Sequence, residues 1–192
     1  MNRMLSFGLL PLIFFFSATA LAAGNISIKG IGYKLEPIAG YETVYRDSPT
    51  PHTLTRTIYG ARVVVGSDLI SLEIEYTKGS DTENFSTAPE KIYNDDEKGK
   101  VGLRSTYRFN NYVFTSGRLG GQGTRGYTET TTDGVVTRVD NPIKYHPYAG
   151  VSLGVKFGSF FSISAGSTVV FRDNADMTKN DVQNTLAISI GI

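Results

Sequence analysis

Two histidines and one glycine cluster are the first places to look for chemistry. His52 lies in a polar stretch and His146 lies in an apolar-polar alternation. Neither sits in a His-x-Ser arrangement, because His146 precedes Pro147 and Tyr148. Gly121-Gln122-Gly123-Thr124-Arg125-Gly126 matches G-x-G-x-x-G. A dinucleotide site needs a helix after that turn to present its N-terminus to the phosphates. The next residues are instead Tyr127 and a run rich in threonine. That composition favours a strand, so the glycines are read as letting a strand bend. Acidic residues gather at Asn94-Asp95-Asp96-Glu97 and at Asp173, Asp176 and Asp181, but without the glycine and spacing of a calcium loop. The remaining charges recur at every second position of apolar segments: Glu42, Glu73, Glu75, Arg56, Arg62, Arg104, Arg108, Arg118 and Lys156. That periodicity is a statement about strands, and it directs attention to the elements that carry it.

The ends and composition narrow the setting. Arg3 precedes an apolar run from Met4 to Phe16, then small residues at A-x-A spacing through Ala23. This is the plan of a secretory signal peptide, with cleavage after Ala22 or Ala23. Residues 1–22 are therefore read as the signal and 23–192 as a single domain. The chain has 19 basic and 18 acidic residues and no cysteine. Near-neutral charge without a basic run argues against nucleic acid, and an exported chain without cysteine has no disulfide framework. No run after the signal approaches 18 apolar residues, so a membrane can be crossed only by strands. Nothing calls for a cofactor or a metal.

Turn signals divide the chain into eight strands: 35–46, 55–66, 69–78, 100–109, 112–124, 144–157, 160–172 and 182–192. Three connections are tight, at Ser67-Asp68, Asn110-Asn111 and Gly158-Ser159. Four are long and polar, over 47–54, 79–99, 125–143 and 173–181. Alternating short and long connections are the mark of a barrel whose two rims face different compartments. The fold expected is all-β: an eight-stranded antiparallel up-and-down transmembrane β-barrel with short periplasmic turns and longer extracellular loops.

Side-chain parity then gives each strand an apolar and a polar face. Ile70, Leu72, Ile74 and Tyr76 oppose Ser71, Glu73, Glu75 and Thr77, and Leu186, Ile188 and Ile190 oppose Thr185, Ala187 and Ser189. Aromatic residues fall near the strand ends. Tyr41, Tyr45, Tyr59, Tyr76, Tyr145 and Phe171 are placed in an upper girdle, and Tyr107, Phe109, Phe157 and Phe161 in a lower one. Ten residues at about 3.3 Å, tilted about 40°, span roughly 25 Å, the height of a lipid-facing band. The charged face then lines the lumen. An eight-stranded barrel holds little beyond side chains, so the nine alternating charges, Glu42 through Lys156, are expected to form an ion-paired plug.

Tyr148-Ala149-Gly150-Val151-Ser152-Leu153-Gly154-Val155-Lys156-Phe157 and the final Leu186-Ala187-Ile188-Ser189-Ile190-Gly191-Ile192 resemble strands of the small eight-stranded outer-membrane barrels: the OmpX/Ail-like, OmpA transmembrane-domain-like and opacity-type proteins. The resemblance covers nearly all of residues 23–192. It implies a bacterial outer-membrane location, lipid and lipopolysaccharide as surroundings, and assembly by the barrel-insertion machinery. The last strand ends in Ile192, where such strands commonly end in Phe or Trp. The implied role is non-enzymatic: a structural or surface-interaction protein working through its extracellular loops, with Phe85, Tyr93 and Tyr127 as candidate contacts. Two other readings stand beside it. One is an outer-membrane lipid A acyl-transfer or deacylase enzyme, the other a soluble periplasmic ligand-binding barrel.

Overall fold

Alternation of apolar and polar residues leaves each segment with two unlike faces, and pairing of all their backbones in one closed ring satisfies both. The computed structural model describes residues 32–47, 50–86, 89–173 and 175–191; residues 1–22, read above as a signal, and Ile192 lie outside the described residues. The strands are β1 (Gly32–Arg46), β2 (His52–Gly66), β3 (Ser71–Asn84), β4 (Lys91–Arg108), β5 (Val113–Thr132), β6 (Val135–Phe157), β7 (Phe161–Val170) and β8 (Asp181–Gly191). Each pairs antiparallel with the next, and β1 closes the barrel on β8, with Ile38 opposite Ala187 and Glu42 opposite Gln183. Closure removes the sheet edges through the barrel body, so no backbone donor there faces hydrocarbon unpaired. Among the described residues no helix is long and apolar enough to cross a membrane.

The apolar face is outside. Ile70, Leu72, Ile74, Val101, Val151, Leu153 and Ile188 are all exposed, Val151 to 53%. A continuous apolar band of this kind is far larger than a soluble monomer exposes. This orientation overturns the soluble-barrel reading, which needs the same residues inside. Tyr41, Tyr59, Tyr76 and Tyr145 are exposed at the upper end of the band, and Tyr107, Phe109, Phe157 and Phe161 at the lower end, joined there by Tyr33, Tyr112 and Phe160. Tyr107 and Phe109 meet edge to face at 5.2 Å. Two placements differ from the expectation. Tyr45 is half-buried beneath the Lys179 ammonium, 5.5 Å from its ring. Phe171 is half-buried just past the end of β7, its amide donating to the Pro147 carbonyl at 2.9 Å.

The three tight turns are present, at residues 67–70, 109–112 and 158–160. The larger difference is above the band. Two expected loops, 79–99 and 125–143, are mostly strand: β3 and β4 continue to Asn84 and Lys91, and β5 and β6 meet at a two-residue turn. Asp133 and Gly134 take φ of 50° and 76°, the left-handed backbone that such a turn requires. The result is a lopsided barrel. β4, β5 and β6 have 18, 20 and 23 residues, against 10 and 11 for β7 and β8. A four-stranded ribbon of β3–β6 therefore stands above one side of the mouth. β7 stops at Val170, opposite Tyr148, and Phe171 adds one bond to Pro147, so among the described residues no strand pairs with β6 above Pro147 on that side. Pro142, together with Arg138, Asp140 and Lys144, occupies this free edge, and proline and charge are what discourage unplanned strand addition.

Packing at two places carries much of the shape. The G-x-G-x-x-G run is strand, and its register shifts between Thr124 and Gly126, a bulge where the ribbon leaves the barrel. Gly120, just before it, faces inward; a Cβ there would lie 2.2 Å from the Val101 carbonyl oxygen and 3.0 Å from the Tyr148 ring. Gly120→Ala is expected to destabilise the barrel by about 1–3 kcal/mol through overpacking, while Gly99→Ala, with open space around it, changes stability little. Urea unfolding of both variants in detergent micelles checks this.

His52, expected in a loop, begins β2 above the band. Its Nδ1 faces the Thr50 carbonyl at 2.7 Å and its Nε2 the Glu83 carboxylate at 2.5 Å, tying the ribbon to β2. With acceptors at both nitrogens the cation is favoured, and the His52 pKa rises above its ordinary 6.5, first through the Thr50 carbonyl and then through Glu83. A raised folded pKa means the stabilisation is complete below about 6.5 and is lost as pH climbs through the folded value. Hydrogen exchange in β3 residues 80–84 is therefore expected to accelerate from pH 6 to 8 beyond the intrinsic rate, and His52→Gln to abolish that excess.

Candidate functional site: the charged lumen and the surface ribbon

Inward parity puts a charged residue from one strand within reach of its opposite on the next. Arg62 stands across from Glu36 on β1 and from Glu75 on β3, and Arg56 across from Glu42. The register thus assembles ion pairs before any long-range packing is considered. Carboxylates and guanidinium or ammonium groups then interlock in three tiers.

At the bottom, Glu36 accepts from Arg62 at 2.8 Å, from Arg104 at 2.9 Å and from the Ser189 hydroxyl. In the middle, Glu75 accepts from Arg62 at 2.6 Å, Lys100 at 2.5 Å and Arg118 at 2.8 Å. Glu73 accepts from Arg118 at 3.0 Å and from the Tyr148 hydroxyl at 3.4 Å. Arg118 also donates to Thr168, and Lys100 to Gln183. At the top, Glu42 takes Arg56 at 3.0 Å, Gln183 at 2.6 Å and Lys98. Arg56 reaches on to Asp81 at 2.8 Å and Asp96 at 2.6 Å, and Arg46 adds a second bond to Asp81 at 3.0 Å. The set runs around the barrel from Glu36 on β1 to Gln183 on β8.

Such a network lies in a low-dielectric interior, where an unpaired charge is prohibitive and a multiply paired one is tolerated. Glu36, Glu42 and Glu73 have no solvent exposure, and Glu75 has 1%. Among buried side-chain oxygens only Glu73 Oε2 and Thr77 Oγ1 lack a hydrogen bond in the described residues, and Glu73 Oε2 still lies 3.5 Å from Arg62 Nε. Apolar groups pack beside the tiers too. Ile38, Val44, Ile58 and Val64 are buried on the same inward faces of β1 and β2. Tyr148, 2% exposed, lies across the middle tier under Lys100 and Arg118, at 5.7 and 5.9 Å from its ring.

The sequence-derived set is redistributed accordingly. Glu42, Glu73, Glu75, Arg56, Arg62, Arg104 and Arg118 meet in the network. Arg108 and Lys156 do not. Their parity is inward, but they sit lower, at the short-turn mouth, where the barrel opens to water. Arg108 is exposed and pairs with Asp68, and Lys156 is half-buried. Glu36, Lys98, Lys100, Asp81 and Asp96 belong to the network and escaped the sequence reading. Glu36 shares parity with Glu42, and Lys100 with Arg104, so that signal is present in the sequence. Asp81, Asp96 and Lys98 lie in the segment 79–99, which reads as a loop.

The ribbon has its own organisation. Tyr93 and Tyr127 meet at a tilt of 54° with ring centroids 6.0 Å apart, and Arg138 lies 3.5 Å over the Tyr127 ring. Val135, Val136, Val139 and Ile143 on β6 are exposed. The acidic cluster at 94–97 is strand, its members held by Lys78, Arg56 and Arg125. Among the described residues no group of His, Asp and Glu could hold a metal ion. His146 lines the upper mouth beside Lys144 and Arg172.

No family model and no curated protein matches the chain. Solved structures do. Ail, the attachment invasion locus protein of Yersinia pestis, superposes with a TM-score of 0.55 at 14% identity, over 84% of this chain and 99% of that one. OprG from Pseudomonas aeruginosa gives 0.54 at 8% identity, over 85% and 96%. Neisserial surface protein A gives 0.52 at 12% identity, over 85% and 99%. Identity this low speaks for the fold alone. With closed eight-strand topology, an outward apolar band and an inward charged face, the chain has the fold of the small eight-stranded outer-membrane β-barrels.

Proposed function

We propose that this chain is a non-enzymatic bacterial outer-membrane protein, a closed barrel that anchors a projecting β-ribbon for contacts at the cell surface. The observation that carries this reading is the lumen network. A pore needs a continuous aqueous path, whereas here tiers of paired charges, reinforced by Tyr148, cross the barrel from wall to wall. Lipid and lipopolysaccharide would surround the band, and the insertion machinery would place it there.

The interaction role rests on the lopsided extension. Four strands continue above the upper aromatic ring, and β6 alone carries about ten residues beyond Tyr145, roughly 25 Å of rise at ordinary strand tilt. Rigid strands hold contact residues more precisely than loops do. Tyr93, Tyr127 and Arg138 form a contiguous patch of the types enriched where proteins bind partners. The Yersinia neighbour is named for attachment and invasion, and one of its structures holds the heparin analogue sucrose octasulfate; this agrees with a surface role for the architecture. An acyl-transfer role finds less support. His52 is occupied on both ring nitrogens by Thr50 and Glu83, and His146 faces Lys144 and Arg172 at the mouth rather than the lipid.

In planar bilayers the refolded barrel is expected to show no large, stable conductance steps; regular steps of porin size would refute the closed lumen. Lipid A from cells expressing the protein is expected to keep its mass profile, and gain or loss of one acyl chain would establish the enzyme reading instead. Glu75→Gln removes the charge that holds Arg62, Lys100 and Arg118 together. It is expected to destabilise the barrel by about 3–5 kcal/mol, the range for breaking a buried pair, read from urea midpoints.

A further inference from the structure

The short-turn mouth carries charge that the lumen network does not consume. A cavity of about 230 Å³ opens there, lined by Lys34, Arg108, Lys156, Arg104 and Asp68. Arg104 is already neutralised by Glu36, at 2.9 Å. Lys34 and Arg108 share one carboxylate, Asp68, with Lys34 at 3.8 Å. Lys156 forms no ion pair among the described residues. Among the described residues three cations thus face one carboxylate in a concave, partly desolvated space, where an anion is attracted more strongly than at an open surface. At the upper mouth Arg46, Arg56, Lys98, Arg125 and Arg172 are each paired with a carboxylate, and among the described cations lining it the exposed Lys144 alone forms no ion pair.

The cavity also leads outward. Tyr33, Phe160 and Phe161 line its other side, and all three are exposed in the lower aromatic girdle. That girdle sits at the level of lipid headgroups. One space therefore joins a cationic pocket to the belt where acyl chains begin. Ser162, opposite Lys156 in the β6–β7 register, adds a hydroxyl to its wall.

We propose that this mouth binds a phosphate ester of net negative charge, the headgroup of an anionic phospholipid in the inner leaflet. The phosphate lies between Lys34 and Lys156, and the acyl chains run past Phe160 and Phe161. Basic pockets beside membrane-facing surfaces recognise anionic headgroups in this way. The chemistry shared with a soluble phosphate ester is the net anion, and the two sources are separable.

The test uses the refolded chain in micelles containing equal dioleoylphosphatidylglycerol and dioleoylphosphatidylcholine, with retained lipid counted by native mass spectrometry. Each cation near the surface contributes roughly five-fold, so with Lys34 and Lys156 wild type is expected to retain phosphatidylglycerol roughly twenty-five-fold over phosphatidylcholine. Lys34→Gln with Lys156→Gln is expected to bring that ratio near one. Lys144→Gln, at the opposite mouth, leaves it unchanged. Heat-modifiable gel mobility confirms that each variant is folded. Glycerol phosphate that displaces the lipid locates recognition in the phosphate alone; failure to displace it assigns the site to the intact lipid. Equal retention of both lipids by wild type, or a folded double variant as selective as wild type, overturns the proposal.

Discussion

Two solvents meet this chain, and both demand that backbone and charge be satisfied internally. Hydrocarbon around the band offers no hydrogen bond, so the strands must close on themselves. The narrow lumen offers too little water to solvate isolated ions, so the inward charges must pair. Closure and pairing are linked by register. Placing β1 against β8 with Glu42 opposite Gln183 brings Lys98 and Arg56 to the same carboxylate. A slip of one residue would turn Glu42 into lipid and Tyr41 into the lumen, so the charge pattern enforces the register as firmly as the apolar one.

The same crowding explains the distribution of small residues. The inner faces of β4 and β5 carry Gly102 and Gly120, and an added side chain at either would strike Tyr148. The tyrosine ring fits only because its neighbours have none. In turn it lies beneath Lys100 and Arg118 and donates to Glu73, adding a polar contact and a cover for cations to the middle tier. Bulk, charge and open space are therefore complementary across strands far apart in sequence.

Above the membrane the constraint relaxes and the architecture diverges from it. Water satisfies free backbone groups there, so β6 can run from Val135 to His146 with β5 as its one strand partner among the described residues. The bulge at Thr124–Gly126 redirects the ribbon, with Gly126 packed against the Asp95 carbonyl, where a Cβ would come within 2.1 Å. His52–Glu83 and Arg46–Asp81 then brace it against β1 and β2. The two mouths consequently differ: the upper one is shaded by the ribbon and its arginines are each paired, while the lower is short-rimmed and sets Lys34, Arg108 and Lys156 around the single carboxylate of Asp68 among the described residues.

Strand number, inside-outside parity and the aromatic girdles are legible in the residues, because period-two alternation and turn chemistry are local properties. Seven of the charged positions that parity turns inward, from Glu42 to Arg118, meet in the network for the same reason. Local pattern does not carry height. Arg108 and Lys156 share the inward parity yet lie at the mouth, because a residue's depth depends on shear accumulated across neighbouring strands. Asp133-Gly134 is a hairpin signal in its own right, but the polar flanks around it read as loop until the pairing of β5 with β6 supplies their hydrogen bonds. The order of residues alone therefore dictates eight two-faced strands with charge on one side. Which charges meet, how far the strands rise beyond the membrane and which mouth keeps a surplus are settled in three dimensions, because each depends on contacts between residues that come together only when the barrel closes.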